Sequence, residues 1–143
     1  MANYYGVVRT NYFRVKDEEK LRTLISKVVC GDGVIDLWDD RQNIEGKPLF
    51  GFGLYGNISG APNSEGELDD DAYDRFIYGL QACVADDDAI LIIEAGHEKL
   101  RSVGGSVTII TSEKIDYIDL QDCARNKAQE LLGNNEWDTT CYC

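Results

Sequence analysis

Basic residues, histidine and proline are all scarce in this 143-residue sequence, which has 14 Lys and Arg, one His and two Pro. Against 26 Asp and Glu, this composition leaves a formal charge of −12 at pH 7. So acidic a protein is poorly suited to bind nucleic acid directly or to bind an anionic membrane, because phosphate contacts depend on Lys and Arg. The charge instead favours a basic protein as the partner.

Long apolar segments are also absent from the sequence. The longest run, residues 89–93, is far shorter than the ~20 residues that a transmembrane helix needs. The first residues lack the basic and then apolar pattern of a signal peptide. We therefore expect a cytoplasmic protein that does not interact with membranes.

The five cysteines are an odd number and make a poor disulfide framework. Cys30, Cys83 and Cys123 fall on or beside the apolar sides of predicted helices, where cysteine packs as a small hydrophobe. Cys141 and Cys143 could pair or bind a metal, but a zinc site needs about four ligands and the sequence has no second Cys or His pair. We therefore expect no cofactor and no bound metal.

The hydrophobic pattern predicts one α+β domain over residues 1–143, in the order β-α-β-β-α-β-β-α. About three helices are expected to pack on a mainly antiparallel sheet, and a hydrophobic content of 43% is enough for a core. Strands are predicted at residues 4–15, 34–38, 49–58, 89–94 and 104–111, with a short further strand at 117–119. Gly51 and Gly53 alternate with large residues in the third strand, which predicts a bent edge strand closely approached by a helix.

Capping residues and apolar spacing define the helices. Asp17 and Asp119 are the expected N-caps of the first and third helices, and Gly133 is the expected end of the third. The second helix is predicted at residues 69–84. Its apolar face comprises Tyr73, Phe76, Ile77, Leu80 and Val84. The buried stripe of the third helix is predicted to comprise Leu120, Cys123, Ala124, Ala128, Leu131 and Leu132.

Most of the net negative charge is concentrated in residues 65–94, which hold ten carboxylates and one cation, Arg75. Nine of these carboxylates are our candidate partner-binding residues: Glu65, Glu67, Asp69, Asp70, Asp71, Asp74, Asp86, Asp87 and Asp88. If they share one surface, their spacing can imitate the phosphates of a nucleic-acid strand and compete for the basic groove of a nuclease. The alternative is that they cap a helix and keep the protein soluble.

Residues typical of catalytic sites are sparse. His97 is the only histidine, so a general base at neutral pH would be sought there first. It is predicted to lie in a connection between two strands, where a lone histidine is more often a surface residue. Asp36, Asp39 and Asp40, or residues 86–88, could converge on a metal ion, but neither group matches a calcium-binding loop and solvated turn acids fit better. We therefore name no catalytic residue.

Four stretches carry a resemblance to known proteins: NYYGVVRTNYFRV, GFGLYG, EAGHEKLR and the closing GNNEWDTTCYC. Together they resemble a group of small acidic proteins from Firmicutes plasmids, phages and conjugative elements. This resemblance implies an anti-CRISPR or antirestriction inhibitor that binds its target in the host cytoplasm, and it implies no catalytic residue. The leading hypothesis is inhibition of a defence nuclease, with a CRISPR effector as the first candidate. The alternatives are an immunity or antitoxin-like protein that neutralises a basic toxin and a small enzyme that uses His97.

Overall fold

A computed structural model of the chain describes residues 5–31, 34–42, 45–98 and 102–138. Within these ranges three helices accompany a six-stranded antiparallel sheet and a two-stranded one, which confirms the predicted α+β class. The helices are α1 (Glu18–Lys27), α2 (Ala72–Cys83) and α3 (Leu120–Leu132). The strands are β1 (Tyr5–Thr10), β2 (Val29–Cys30), β3 (Asp36–Gln42), β4 (Pro48–Tyr55), β5 (Ile58–Gly60), β6 (Ile90–Glu98), β7 (Ser102–Ile110) and β8 (Ile115–Asp119).

The large sheet has the strand order β3-β4-β1-β6-β7-β8, and β2 pairs with β5 in the small one. The first strand of the chain therefore lies in the interior of the sheet, between β4 and β6. Compared with the sequence prediction, the structure adds the short pair β2 and β5 and confirms the short strand before the third helix. In the part of the chain that is described, no helix is long and apolar enough to cross a membrane.

The core lies between the large sheet and the two helices α1 and α2. Phe76 of α2 is fully buried, and its ring meets that of Phe52 edge-on with the centroids 6.0 Å apart. Phe52 in turn meets Phe13 at 6.3 Å. Ile77 and Leu80 are buried beside them, so the predicted apolar face of α2 is confirmed.

The predicted helix ends are confirmed for α1 and α3. The Asp17 carboxylate accepts a hydrogen bond from the Lys20 N–H at 3.0 Å, and the Asp119 carboxylate accepts one from the Asp122 N–H at 3.1 Å. Gly133 ends α3 in the left-handed conformation, with φ 64°. Each of these bonds joins residues only three apart, which is why the local sequence was sufficient to predict them.

The predicted burial of the third helix is wrong. No residue of α3 is buried, and Leu120, Leu131 and Leu132 are exposed by 60%, 78% and 59%. Cys123 and Ala124 are exposed as well. The physical reason is position: α3 packs mainly against β7 and β8 at one end of the sheet, whereas α1 and α2 lie over the core.

The glycine pattern of β4 has a different cause from the predicted one. β4 is an interior strand, and the group that approaches it closely is the ring of Trp38 on the neighbouring strand β3. A Cβ atom on Gly53 would lie 2.8 Å from this ring, and one on Gly51 would lie 3.4 Å from it. The Arg9 guanidinium stacks over the same ring, 5.3 Å from its centroid. Trp38 therefore lies on the sheet face opposite the core.

Candidate functional site

Helix α2 divides the nine candidate carboxylates into two groups. Six of them precede the helix or lie in its first turn, and the other three, at residues 86–88, follow its end. A helix of 12 residues is about 18 Å long, because each residue adds about 1.5 Å. The structure therefore does not bring all nine carboxylates together.

The three carboxylates after α2 are engaged in ion pairs. Lys16 Nζ lies 3.1 Å from Asp86 and lowers the pKa of that carboxyl group. Arg14 pairs with Asp87 at 3.1 Å and with Asp88 at 3.3 Å, and Asp88 also accepts the Arg14 backbone N–H at 2.8 Å. These bonds attach the turn after α2 to the segment that follows β1. Two cations therefore compensate most of the charge of these three carboxylates within the protein.

Five of the six carboxylates at the other end of α2 have no such partner. Asp69 is the exception, because Arg75 Nη2 lies 2.9 Å from it and lowers its pKa. The remaining five, which we call the acidic α2 end, are exposed and form no ion pair with any described residue. They are Glu65, Glu67, Asp70, Asp71 and Asp74.

Hydrogen bonding within the loop before α2 does not depend on these five carboxylates. The Asn63 side chain accepts the N–H groups of Glu65 and Glu67 at 2.9 and 3.0 Å, and Asp69 accepts the N–H of Asp71 at 3.1 Å. Asp71 occupies the N-cap position of α2 but makes no side-chain capping bond. Capping therefore accounts for none of the five, although their charge still interacts favourably with the helix dipole.

A row of four partly accessible glycines lies on the core side of the sheet. The N–H of Gly56 donates to the carbonyl of Gly6 at 2.7 Å, Gly6 lies opposite Gly96, and Gly96 lies opposite Gly104. We call this row the glycine floor. A Cβ atom on Gly104 would meet nothing within 4 Å, so the space above the floor is open there.

The next row of the sheet places two carboxylates beside the glycine floor. Val8 lies opposite Glu94, Glu94 opposite Ser106, and Ser106 opposite Asp119. Paired residues project to the same face of a sheet, so this row and the floor share one side. Together with Tyr117 and three glycines of the floor (Gly6, Gly56 and Gly104), this row lines a cavity of about 370 Å³.

Glu94 is half-buried in this cavity and makes no hydrogen bond or ion pair with any described residue. Burial raises the pKa of its carboxyl group. Tyr73 lies next to Asp74 in the first turn of α2, and its side chain is hydrogen-bonded to that of Thr108 on the sheet face that carries Glu94. Burial and then the negative charge of Glu94 raise the pKa of Tyr73, and Asp74 adds to this effect.

The opposite face of the sheet is apolar and exposed. Tyr5, Val7, Ile93 and Val103 are each between 43% and 62% exposed on it. His97 belongs to this face, with its ring centroid 5.5 Å from that of Tyr5. The expectation that His97 lies in a connection is wrong, because β6 continues through Glu98 and pairs with β7 along its whole length.

His97 lies in a largely apolar groove. The shallow groove of about 800 Å³ at His97 is otherwise lined by Tyr5, Val7, Val103, alanine and glycine residues. Among the described residues there is no group of three or more His, Cys, Asp or Glu that could hold a metal ion. Cys30, Cys83 and Cys123 are free thiols, and Cys141 and Cys143 lie outside the described residues.

Neither Glu94 nor the glycine floor is recognisable from the sequence. Glu94 was counted among the acidic residues of its segment, but it follows an apolar run and was predicted only as the end of a buried strand. The four glycines are spread over about a hundred residues, and only the strand register brings them into one row. No family model, curated protein or solved structure matches the chain. The site is therefore interpreted from its own geometry.

Proposed function

We propose that this protein is a stoichiometric inhibitor of a bacterial defence nuclease, with a CRISPR effector as the first candidate target. It binds the basic nucleic-acid groove of that target through the acidic α2 end. The observation that supports this proposal best is the presence of five exposed carboxylates within ten residues, none of them paired with a cation of the described chain. The class of target comes from the resemblance to mobile-element proteins.

Unpaired carboxylates are suited to imitate phosphate groups. They retain their full charge, so they attract a basic groove over a distance limited by the Debye length, ~8 Å at physiological salt. The paired carboxylates at residues 86–88 would first have to release Arg14 and Lys16, which makes them poorer ligands. Such attraction acts mainly on the rate of association and weakens as salt increases.

The rest of the surface supports binding rather than catalysis. Apart from His97 and Tyr5, the groove is lined only by valine, alanine and glycine, so it contains no carboxylate, lysine, serine or cysteine. The open sheet face exposes several large apolar side chains, a feature typical of proteins that bind other proteins. An immunity protein for a basic toxin would use the same acidic surface, so the identity of the target has to separate these two functions.

The test measures DNA cleavage by a panel of purified CRISPR effectors and restriction endonucleases, with and without the protein. For any enzyme that is inhibited, association kinetics are then measured across a salt series for wild type and two variants. The first variant changes Asp70, Asp71 and Asp74 to asparagine. The matched control changes the three paired aspartates at residues 86–88, so that both variants have the same formal charge, −9 instead of −12.

We expect the first variant to associate on the order of 10-fold more slowly, within the range known for electrostatic steering. The control should associate at a rate much closer to that of wild type, because Arg14 and Lys16 already pair with its carboxylates. Equal association rates for the two variants would show that the position of the carboxylates does not matter, and this would contradict the assignment of the acidic α2 end as the binding site. If no nuclease of the panel is inhibited, the proposed function is wrong.

A further inference from the structure

We infer that the cavity beside Glu94 binds the guanidinium group of one arginine side chain supplied by the partner protein. This inference rests on the proposed function for the identity of the partner. It adds a specific anchoring contact to the long-range attraction exerted by the acidic α2 end. It also assigns a role to Glu94, Tyr117 and the glycine floor, which that attraction does not require.

The shape of the cavity fits a small planar group. Its volume of about 370 Å³ is near the lower end for ligand pockets, which is roughly 300–1,000 Å³. The glycine floor has no side chains, so a flat group can lie against the backbone. Glu94 and Asp119 stand two strands apart on either side of Ser106, and neighbouring strands are about 4.8 Å apart. A cation between them would therefore be close to both carboxylates.

The two carboxylates of the cavity, Glu94 and Asp119, favour binding of a cation. Glu94 is partly withdrawn from water without a hydrogen-bond donor or cation to compensate the lost hydration. One oxygen of Asp119 accepts the Asp122 N–H at the start of α3, but its charge remains. None of the described residues that line the cavity is Lys or Arg. A cation supplied from outside would therefore compensate both carboxylates.

An arginine fits better than a metal ion or a lysine. Mg²⁺ and Ca²⁺ need about six or more oxygen ligands, and the cavity offers only two carboxylates. A guanidinium group is planar, donates two parallel hydrogen bonds to a carboxylate and stacks on aromatic rings. Tyr117 supplies such a ring beside Glu94. Arginine is also abundant in the grooves of proteins that bind nucleic acid.

The binding chemistry can be tested without the nuclease. The probe is Nα-acetyl-arginine amide, and the neutral control is Nα-acetyl-citrulline amide, which has nearly the same shape. Amide shifts of the ¹⁵N-labelled protein are followed during titration with each compound. We expect saturable shifts at Glu94, Ser106 and Asp119 with the arginine compound only, and a Kd of roughly 1 mM, which corresponds to about −4 kcal/mol.

Three variants show whether binding takes place in this cavity. Glu94→Gln removes the charge and should reduce affinity for the arginine compound at least several-fold. Gly104→Leu keeps that charge but fills the space above the floor, and its Cβ would meet nothing within 4 Å, so the fold should tolerate it. Ile93→Ala is the control. Ile93 precedes Glu94 in β6 and does not line the cavity, because its side chain projects to the other face of the sheet, where it is 46% exposed, so binding should be unchanged.

Several results would overturn the inference. Equal shifts with citrulline would show that charge is not recognised, and wild-type affinity of Gly104→Leu would place binding elsewhere. Tighter binding of the corresponding lysine compound would reject arginine as the ligand. The variant at Asp70, Asp71 and Asp74 should still bind the arginine compound while associating slowly with the nuclease. If the protein inhibits a nuclease but does not bind the arginine compound, only this inference is contradicted. If it binds the arginine compound but inhibits no nuclease, only the proposed function is contradicted.

Discussion

Replacing Phe76 by alanine tests the packing that holds α2 against the sheet. Phe76 is 0% exposed and meets the Phe52 ring edge-on, with the two ring planes at 70°. Phe52 is itself held against Phe13 at 6.3 Å. Because the neighbouring rings are held on a sheet strand and in the core, they have little freedom to move into the space that the substitution leaves.

The cost of this substitution follows from cavity formation. Phe→Ala changes in cores cost about 3–5 kcal/mol, and the upper part of that range applies where the site collapses poorly. The edge-on ring pair contributes ~0.5–1.5 kcal/mol of this value. In a chain of this size, each kcal/mol lowers Tm by about 2–4 °C, so we expect a decrease of roughly 8–20 °C.

The assay is thermal and urea unfolding followed by circular dichroism. Tyr78→Ala is the matched control, because Tyr78 lies on the same helix but is 61% exposed. Its unfolding free energy should change by no more than about 0.5 kcal/mol. If Phe76→Ala loses less than about 1 kcal/mol, or no more than the control loses, the assignment of the core face of α2 is wrong.

Three further predictions concern other parts of the fold. Because burial raises the pKa of Glu94, its charged form destabilises the folded state; Glu94→Gln should therefore have the larger unfolding free energy at neutral pH. The difference in unfolding free energy, measured by urea titration, should decrease as the pH falls from the folded-state pKa of Glu94 to its ordinary value of 4.5, because Glu94 becomes protonated. A difference that does not change with pH would contradict this prediction. Gly60→Ala should destabilise the fold by more than the ~1–3 kcal/mol of backbone strain at φ 129°, because its Cβ would also lie 2.3 Å from the Ala72 backbone. Gly66→Ala, which has open space at φ 81°, should cost only the strain. Equal decreases in Tm for the two variants would contradict the close approach at Gly60. Iodoacetamide should modify the exposed Cys123 in the native protein. It should modify Cys83 only after unfolding, because that thiol is buried and burial raises its pKa. Peptide mass mapping that finds Cys83 modified before Cys123 would contradict this prediction.

Local features of the sequence were sufficient to predict much of the secondary structure. Asp17, Asp119 and Gly133 mark helix ends because their partners are three or four residues away in the chain. The spacing of Phe76, Ile77 and Leu80 predicted the buried face of α2, and these residues are indeed in the core. Such patterns depend only on residues that are close together in the chain, so they can be recognised in the sequence.

The same kind of pattern was misleading for α3. Leu120, Leu131 and Leu132 have the spacing of a buried stripe, yet all three are exposed. Periodicity shows that one face of a helix is apolar, but it does not show that another element covers that face. Whether the stripe is covered depends on where the strand before the helix lies in the sheet, and β8 lies at its edge.

The charge of this protein and its concentration around α2 were determined by the sequence alone. Which carboxylates are compensated was decided only by the tertiary structure, because Arg14 is 74 residues away from Asp88 in the chain and Lys16 is 70 residues away from Asp86. Likewise, only the register of separate strands places the glycines of the floor in one row and Glu94 beside them. Electrostatic compensation depends on distance in space, and folding sets that distance between residues far apart in the chain.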